Sequence, residues 1–447
     1  MAEHTKIIVL DDDPTGSQTV HGCLLLTRWD VATLGEALAD AAPLFFVLTN
    51  TRGMSAERAA ATTREVCRNL RAALAGQDIH PLFVSRSDST LRGHYPVETD
   101  VMAEELGPFD AHFLVPAFFE GGRFTRESVH YLRTDGREVP VHETEFARDS
   151  VFGYCHSYLP DYVEEKTGGR IRAADVLRFR LDDIRRGVRE RLMALGGNAC
   201  VAVDAETQDD LNRFAADLLA AAAAGKRFLF RSAASLLTAL AGLPPQPVAP
   251  ERMARYVRQG RAGAVIVGSH VPKTTRQLHE LLKAPGCAPI EVDVSRLPQE
   301  HAALLGEVLA RAETAHRAGQ TPVVFTSRTE RAFPDQAARL RFGEQVSGFL
   351  MDVVRGLPPT LGFLVSKGGI TSNDVLSSGL ALPTARLLGQ ILPGVSVVRC
   401  PVDHARYPEM PVVIFPGNVG DDTALATAYR RLSGAPSGAS SQAGTGG

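Results

Sequence analysis

The 447-residue sequence predicts an α/β fold of two domains, each built on a largely parallel sheet flanked by helices. Two patterns lead to this prediction. Short β-branched runs alternate with helical patterns along most of the chain, and these runs are nearly continuously apolar, as in strands buried on both faces. The length is a third argument, because a chain of this size exceeds one ordinary hydrophobic core.

The predicted elements follow one another in a regular order. The first half holds strand candidates at 7–10, 44–50, 82–88, 112–119, 200–205 and 228–232, and helical patterns at 55–76 and 208–225. The second half holds strand candidates at 264–269, 289–294, 322–327, 361–369 and 412–418. A proline-rich stretch separates the halves, and a low-complexity Gly/Ser/Ala stretch ends the sequence. We therefore expect domains at 1–240 and 263–432, a linker at 241–262 and a disordered tail at 433–447.

Composition excludes several classes of function. With 44% hydrophobic and 22% charged residues the chain resembles a soluble globular protein. A formal net charge of −3 gives no electrostatic argument for a nucleic-acid or membrane partner. The six cysteines lie far apart and form no C-x-x-C pair, which indicates reduced thiols rather than disulfides or structural zinc. Together with the lack of a signal-like or bilayer-length apolar run, this predicts a cytoplasmic protein.

Three carboxylates stand where the first predicted strand ends, in the stretch LDDDPTG. Asp11, Asp13 and Thr15 form a D-x-D-x-T pattern, which opens the haloacid-dehalogenase-like phosphatases with the first Asp as nucleophile and the second as acid. A plainer alternative is an Asx-rich turn that only caps the strand. Like charges at one strand end repel each other, so cations, hydrogen bonds or a function must offset their cost.

The stretch SRSDSTLRG at 85–93 comes directly after the apolar residues LFV of the strand candidate at 82–88, and it mixes opposite charges with hydroxyl groups. Guanidinium forks bind carboxylates in two-point fashion, while Asp and Ser side chains hold hydroxyl groups, so this composition suits a small polyhydroxy acid. An internal salt-bridge network under a loop is the alternative. Arg52 stands at a third strand end. We expect the substrate-binding residues to be Asp12, Arg52, Arg86, Ser87, Asp88, Ser89 and Arg92.

Strand–glycine–helix junctions occur three times in the second half, at 265–277, 365–376 and 415–422. Such junctions let backbone N–H groups and a helix start approach phosphates, although ordinary β–α turns also use glycine. Neither a P-loop motif nor a G-x-G-x-x-G fingerprint is present. We expect the nucleotide-binding residues to be Ser269, Gly368, Gly369, Ile370, Thr371, Gly417 and Gly420.

From about residue 6 to residue 432 the chain resembles the four-carbon acid sugar kinases. Five motifs carry the resemblance in the right order. They are D-D-x-T-G at Asp12–Gly16, D-S-T-L-R-G at Asp88–Gly93, G-S-x-S-x-x-T-x-x-Q at Gly268–Gln277, G-G-x-T at Gly368–Thr371 and G-N-x-G at Gly417–Gly420. The chain departs from the family where Arg86 replaces a frequent Lys, where Val271 replaces the second Ser, in the extra Asp11, and in a longer 120–172 segment.

The resemblance implies a kinase that uses ATP, with Mg²⁺, to phosphorylate threonate, erythronate or a 3-oxo-tetronate. The first half would bind the sugar acid, the second half ATP, and the active site would lie in the cleft between them. Asp12 and Asp13 are the expected catalytic residues, with Asp12 as the base; Asp13 and Asp88 would hold magnesium or hydroxyl groups. The metal ligands cannot be specified further, and a homodimer stays open.

Two alternatives remain at this stage. A dehalogenase-like phosphatase would use Asp11 and Asp13, but it leaves the glycine junctions and the D-S-T-L-R-G stretch unexplained. A non-catalytic sensor would bind a sugar acid and a nucleotide without phosphoryl transfer. The segment 120–172 is less periodic than its surroundings and is interpreted as an insertion or a lid.

Overall fold

A computed structural model describes residues 5–134, 136–328, 336–417 and 419–434. The described residues form two compact units. The first combines residues within 1–246 with 376–401, and the second combines residues within 247–375 and 402–447. Asn418 of the G-N-x-G motif and all but the first two residues of the predicted tail lie outside the described part of the chain.

The strands are short, and most of them are buried. In chain order they are β1 Thr5–Asp11, β2 Leu24–Leu26, β3 Leu44–Leu48, β4 His80–Arg86, β5 Ala111–Val115, β6 Arg123–Arg126, β7 Val129–Thr134, β8 Arg137–Pro140, β9 Leu177–Phe179, β10 Ala199–Val203, β11 Phe228–Ser232, β12 Ala264–Val267, β13 Cys287–Val292, β14 Thr321–Thr326, β15 Leu364–Lys367, β16 Thr384–Leu392, β17 Val395–Arg399 and β18 Pro411–Phe415.

The helices alternate with these strands. They are α1 Val31–Ala39, α2 Ala56–Leu74, α3 Val97–Leu106, α4 Leu159–Lys166, α5 Leu181–Arg186, α6 Arg189–Met193, α7 Gln208–Ala223, α8 Ala234–Ala241, α9 Pro272–Leu282, α10 Leu297–Arg317, α11 Gln336–Gly356, α12 Gly369–Asp374 and α13 Ala424–Ser433. No helix in the described ranges is both long and apolar enough to cross a membrane.

The first unit is organised around a mostly parallel sheet with strand order β17-β16-β2-β3-β1-β4-β11-β5-β10-β9. The pairs from β2 to β9 are parallel, whereas β16 runs antiparallel to both β2 and β17. Apolar residues of α1, α2 and α3, such as Leu70, pack on one region of this sheet against strand residues such as Phe45 of β3 and Phe83 of β4. Burial on both faces explains the near-continuous apolar strands of the sequence.

The second unit holds a fully parallel sheet in the order β13-β14-β12-β15-β18. The predicted α/β class with largely parallel sheets is therefore confirmed for both units. The hairpin β16–β17 falls inside the predicted nucleotide-binding range 263–432, yet it belongs to the first unit, where Thr384–Arg386 pairs with Leu24–Leu26. The two predicted domain boundaries stay predictions.

The segment 120–172 contains a small antiparallel sheet, β6-β7-β8, followed by short turns and α4. It lies within the first unit. Two of its aromatic residues, Tyr154 and Tyr162, belong with Leu159 to one core cluster that also contains Leu91 and Tyr95. The segment is thus packed into the unit by buried apolar side chains.

Candidate functional site

The carboxyl ends of β1, β3 and β4 bring the predicted charged residues of the first unit together. β1 lies between β3 and β4, with Asp11 opposite Leu48 on one side and Arg86 on the other. Because all three strands are parallel, the residues after them share one edge of the sheet. Asp12, Arg52 and Asp88 therefore meet although they are far apart in the chain.

Asp12 and Asp13 share one guanidinium. Arg52 donates from Nη2 to Asp12 Oδ1 at 2.5 Å and from Nε to Asp12 Oδ2 at 3.1 Å, and its Nη1 lies 3.2 Å from Asp13 Oδ2. Ser87 Oγ also donates to Asp12 Oδ2 at 2.8 Å. Burial alone would raise the pKa of Asp13, but Arg52 and the hydrogen bonds from Thr15 outweigh it and lower that pKa. Asp13 is consequently a weak proton acceptor.

Asp11 is fully buried, and it pairs with Arg86 rather than with Arg52. Arg86 Nη1 donates to Asp11 Oδ1 at 3.2 Å, while Asp11 Oδ2 has no hydrogen-bond partner among the described residues. A Cβ on Gly16 would stand only 2.1 Å from Asp11 Oδ2, so the glycine closes over the carboxylate. Burial raises the pKa of Asp11 to about 7 against the opposing charge of Arg86. Because Gly16 covers this carboxylate and Arg86 neutralises it, Asp11 is poorly placed to attack a substrate, which disfavours the phosphatase alternative.

The D-S-T-L-R-G loop adds a second ion pair. Arg92 Nε donates to Asp88 Oδ2 at 2.8 Å, and Thr90 Oγ1 donates to the same oxygen. Burial would raise the pKa of Asp88, but the charges of Arg52 and Arg92 outweigh it and hold this pKa well below its usual range. Asp88 therefore stays ionised near neutral pH.

The predicted substrate-binding residues differ in solvent exposure. Some side chains are exposed enough to contact a ligand, whereas others are buried and stabilise the cluster. The side chains of Arg52, Asp13 and Arg92 are 20%, 21% and 23% exposed, so they can meet a ligand. Arg86 is 7% exposed and neutralises Asp11. Ser87 and Ser89 are buried; the Ser87 hydroxyl joins Asp12 to the carbonyl of Arg92 at 3.1 Å. In this conformation, Arg86 and Ser87 stabilise the buried side of the cluster through their hydrogen bonds to Asp11 and Asp12.

Sequence reasoning missed Glu98, which lies in the first turn of α3 beside this cluster. Thr51 Oγ1 donates to Glu98 Oε1 at 2.6 Å, one residue before Arg52. Burial, together with the negative charge of Asp12, raises the pKa of Glu98 to about 7. A helix residue far from any motif gives no sequence signal for this role, because only the fold brings α3 under the end of β3.

In the second unit the glycine junctions after β12 and β18 are linked by direct contacts. Thr274 Oγ1 lies 3.2 Å from Ser269 Oγ and 3.3 Å from the carbonyl of Gly417. Gln277 Nε2 donates to the carbonyls of Val419 and Asp421 at 3.0 and 2.8 Å. Two residues of the G-S-x-S-x-x-T-x-x-Q motif thus hold the loop that contains Gly417 and Gly420.

The junction after β15 lies against the same residues. Gly368 has a φ of 120°, and a Cβ there would stand 3.2 Å from both Ser269 Cβ and Thr371 Oγ1. A side chain at this position would be strained and crowded at once. Ile370, in the first turn of α12, is 71% exposed, which is unusual for a large apolar residue. The predicted nucleotide residues Ser269, Gly368, Thr371 and Gly417 therefore lie at one end of the second sheet.

Lys367 and Arg328 are further residues that the motifs did not reveal. Lys367 is fully buried at the end of β15, where its Nζ donates to the carbonyl of Pro416 and, at 3.2 Å, to that of Gly417. Burial, with the nearby charge of Lys273, lowers the pKa of Lys367 to about 7. Arg328 Nη1 donates to the carbonyl of Ser269 at 2.7 Å. Both cations fix backbone carbonyls of the predicted nucleotide loops.

Two family models and two curated relatives match this chain. A model of the sugar-binding N-terminal domain matches residues 7–240, and a model of the nucleotide-binding C-terminal domain matches residues 264–425. The D-erythronate kinase of Heliobacterium modesticaldum is 25% identical over 95% of this chain and 96% of its own length. The D-threonate kinase of Bordetella bronchiseptica is 32% identical over 34% of this chain and 37% of its own length.

Solved structures share the fold. A protein of Salmonella typhimurium LT2, named provisionally as a tRNA synthase, matches 95% of this chain and 99% of its own with a TM-score of 0.69 and 20% identity. A Haemophilus influenzae protein of the family DUF1537 matches 95% of this chain and 100% of its own with a TM-score of 0.64 and 16% identity. The chain is thus a two-domain α/β protein of sugar-binding and nucleotide-binding parts. It belongs to the four-carbon acid sugar kinase family.

Proposed function

We propose that this protein is an ATP-dependent kinase that phosphorylates a hydroxyl group of a four-carbon sugar acid, with threonate, erythronate and a 3-oxo-tetronate as the candidate substrates. The main support for this proposal is a cluster of charged residues at one sheet edge of the sugar-binding domain, formed by Asp12, Asp13, Asp88, Arg52 and Arg92. The names of the two kinase relatives support the choice of a four-carbon acid.

The exposed guanidiniums receive the substrate in this proposal. Arg52 and Arg92 bind the carboxylate of the sugar acid, since a planar fork suits a carboxylate and both are partly exposed. Asp13 and Asp88 hold neighbouring hydroxyl groups, because ionised carboxylates accept hydrogen bonds. Arg86 and Ser87 act from behind, as the partners of Asp11 and Asp12. Ser89 is a buried residue of the same D-S-T-L-R-G loop.

Asp12 is the proposed base. The substrate hydroxyl oxygen forms a bond to the terminal phosphorus of ATP, the bond from that phosphorus to the bridging oxygen breaks, and ADP leaves. The hydroxyl proton passes to Asp12, whose carboxylate is held in place by hydrogen bonds from Arg52 and Ser87. Asp13 is less suited to this step because Arg52 and Thr15 lower its pKa.

ATP is proposed to bind the second unit through Ser269, Gly368, Gly369, Ile370, Thr371, Gly417 and Gly420. Backbone N–H groups and hydroxyls would contact the phosphates, and the exposed Ile370 offers an apolar surface to the base or the ribose. In-line transfer requires the terminal phosphate of ATP and the acceptor hydroxyl group to meet, so the proposed reaction requires both ligands to be bound at once.

Magnesium sites of phosphoryl-transfer enzymes commonly combine one or two carboxylates with phosphate oxygens of the substrate. Within the described ranges no group of three His, Cys, Asp or Glu side chains is placed to hold a metal ion. Asp12, Asp13 and Asp88 are each bonded to an arginine. We therefore propose that Mg²⁺ enters with the ATP phosphates, where it neutralises their charge. Homodimer formation and a cytoplasmic location stay predictions.

A substrate screen tests the proposal. The protein is incubated with ATP and a panel of tetronic and 3-oxo-tetronic acids, and ADP formation and the position of the new phosphate are measured, the latter by NMR. ADP and a phosphorylated acid in equal amounts are expected with at least one acid. Binding of an acid and ATP without transfer would favour the sensor. Release of inorganic phosphate from phosphorylated acids without ATP would favour the phosphatase.

A further inference from the structure

Successive carbonyl groups of the D-S-T-L-R-G loop accept hydrogen bonds from buried side chains behind it. His130 Nε2 donates to the carbonyl of Ser89 at 2.7 Å, Tyr154 Oη to that of Thr90 at 2.6 Å and Tyr162 Oη to that of Leu91 at 2.8 Å. The next carbonyl, of Arg92, accepts from Arg231 Nη2 at 3.0 Å. The loop backbone is therefore bonded at four consecutive residues.

The first three donors come from the 120–172 segment and are themselves fixed. Burial lowers the pKa of His130 to about 4, so its ring is neutral at neutral pH and donates from Nε2 while Nδ1 accepts from Thr125 Oγ1 at 2.9 Å. Tyr162 stacks on Tyr95 with ring centroids 5.9 Å apart and meets Tyr154 edge-on at 5.7 Å. Tyr95, Tyr154 and Tyr162 belong to one buried apolar cluster, and His130 is fully buried as well, so these side chains form a stiff support.

The same segment also orients the side chain of Arg92. The guanidinium carbon of Arg92 lies 4.9 Å from the ring centroid of Phe146, and Nη1 of Arg92 lies 3.6 Å from Asp149 Oδ2. Stacking on an aromatic ring and pairing with a carboxylate fix the plane of a guanidinium. The segment thus holds both the backbone of the loop and the side chain that is proposed to receive the substrate carboxylate.

We infer that residues 123–134 and 136–167 are a rigid support for the substrate loop, and that His130, Tyr154 and Tyr162 are positioning residues that set the affinity for the sugar acid without touching it. This inference rests on the proposed function. Binding is tightened when the loop is held in its binding conformation beforehand, because less freedom is lost when the ligand arrives. A support of this kind acts on the sugar acid and leaves the affinity for ATP unchanged.

The test compares Tyr154→Phe and Tyr162→Phe with a control, Tyr131→Phe. Each test variant keeps the ring and loses one hydrogen bond to the loop, whereas Tyr131 is in the same segment and stacks on Phe124 with centroids 5.3 Å apart. We expect each test variant to raise the KM for the sugar acid on the order of tenfold, since a buried carbonyl loses its partner. The KM for ATP should change less than about twofold, and the control should leave both constants unchanged.

Hydrogen exchange of the backbone amides at residues 89–93 supplies a readout that needs no substrate. Faster exchange in both test variants, confined to this loop and absent in Tyr131→Phe, is expected. Unchanged exchange would overturn the inference, and so would faster exchange with an unchanged KM for the sugar acid. A wild-type protein that phosphorylates no acid would overturn the proposed function instead, and the exchange rates would still decide whether these side chains hold the loop.

Discussion

The candidate sites of the two units are built by different means. In the first unit, ionised side chains face each other at the sheet edge, and Arg52 contacts both Asp12 and Asp13. In the second unit, glycines and hydroxyls lie at the strand ends, and the buried cation Lys367 is bonded to backbone carbonyls. Ligand binding by charged side chains depends on their charge. Ligand binding by backbone groups depends on how closely the ligand can approach the backbone. The two should therefore respond to different substitutions.

The largest expected effect concerns the charge of Asp12. Asp12→Asn keeps the shape of the side chain and removes the proton acceptor, so kcat should fall roughly 10²- to 10⁴-fold while the KM for ATP changes little. Steady-state kinetics with both substrates varied measure these constants.

Asp11→Asn is the matched control for Asp12→Asn. Asp11 is enclosed under Gly16 and pairs with Arg86, so its loss should reduce thermal stability and leave the folded protein active. Near-normal turnover in Asp12→Asn beside an inactive, folded Asp11→Asn would instead revive the phosphatase.

The second effect concerns backbone approach at Gly368. Gly368→Ala puts a Cβ where φ is 120° and where Ser269 and Thr371 lie 3.2 Å away, so the loops must shift. The KM for ATP should rise roughly 10- to 100-fold, while the KM for the sugar acid stays nearly constant. Gly306→Ala in α10, where a Cβ meets nothing within 4 Å, is the control and should leave both constants unchanged.

A smaller effect is expected from Arg92→Lys. The substitution keeps the positive charge and removes the planar fork that pairs with Asp88 and stacks on Phe146. The KM for the sugar acid should rise on the order of tenfold with an unchanged KM for ATP. Arg68→Lys, at a surface position paired with Glu105, should have no effect on either constant. Equal effects of the two lysine variants would mean that Arg92 does not receive the substrate.

The smallest effect is a pH dependence of stability at Lys367. The unfolded lysine keeps its proton to about pH 10, whereas burial and Lys273 lower the pKa of the folded residue to about 7. Between these values the unfolded state binds more protons, so the contribution of Lys367 to stability rises with pH. The melting temperature of wild type minus that of Lys367→Met should increase from about pH 6.5 to about pH 9.

Lys283→Met, at an exposed position paired with Glu280, provides the comparison for Lys367→Met. The melting-temperature difference between wild type and this control should not depend on pH over the same range. A flat difference for Lys367→Met as well would show that the folded lysine keeps its proton.

The strand pattern and the motifs were sufficient to predict the class of fold and the places where charged and glycine residues meet. Buried parallel strands produce apolar runs such as Phe228–Ser232, which the structure confirms at the same bounds. The hairpin β16–β17 was missed although Pro393 and Gly394, with a φ of 76° at the glycine, form its turn. Its membership of the first unit depends on pairing with β2, more than 350 residues away, which no local pattern encodes.

The roles of individual charged residues were harder to predict. Arg86 and Arg52 look alike in the sequence, since each follows a buried strand. Arg86 pairs with Asp11 and, at 3.6 Å, with Asp12, whereas Arg52 pairs with Asp12 and Asp13; these partners and the exposure of the two side chains, 7% and 20%, separate their roles. Glu98, Lys367 and the tyrosines behind the loop act through tertiary contacts, and therefore lie outside what spacing can indicate.

Direct binding measurements test the separation of the two sites most directly. Wild type, Arg92→Lys and Gly368→Ala are each titrated calorimetrically with the sugar acid identified in the screen and with a non-hydrolysable ATP analogue. The account predicts a crossed result: Arg92→Lys weakens only the sugar acid, and Gly368→Ala weakens only the nucleotide. If both variants weakened the same ligand, or if Gly368→Ala weakened the sugar acid alone, the assignment of the two sites would be wrong.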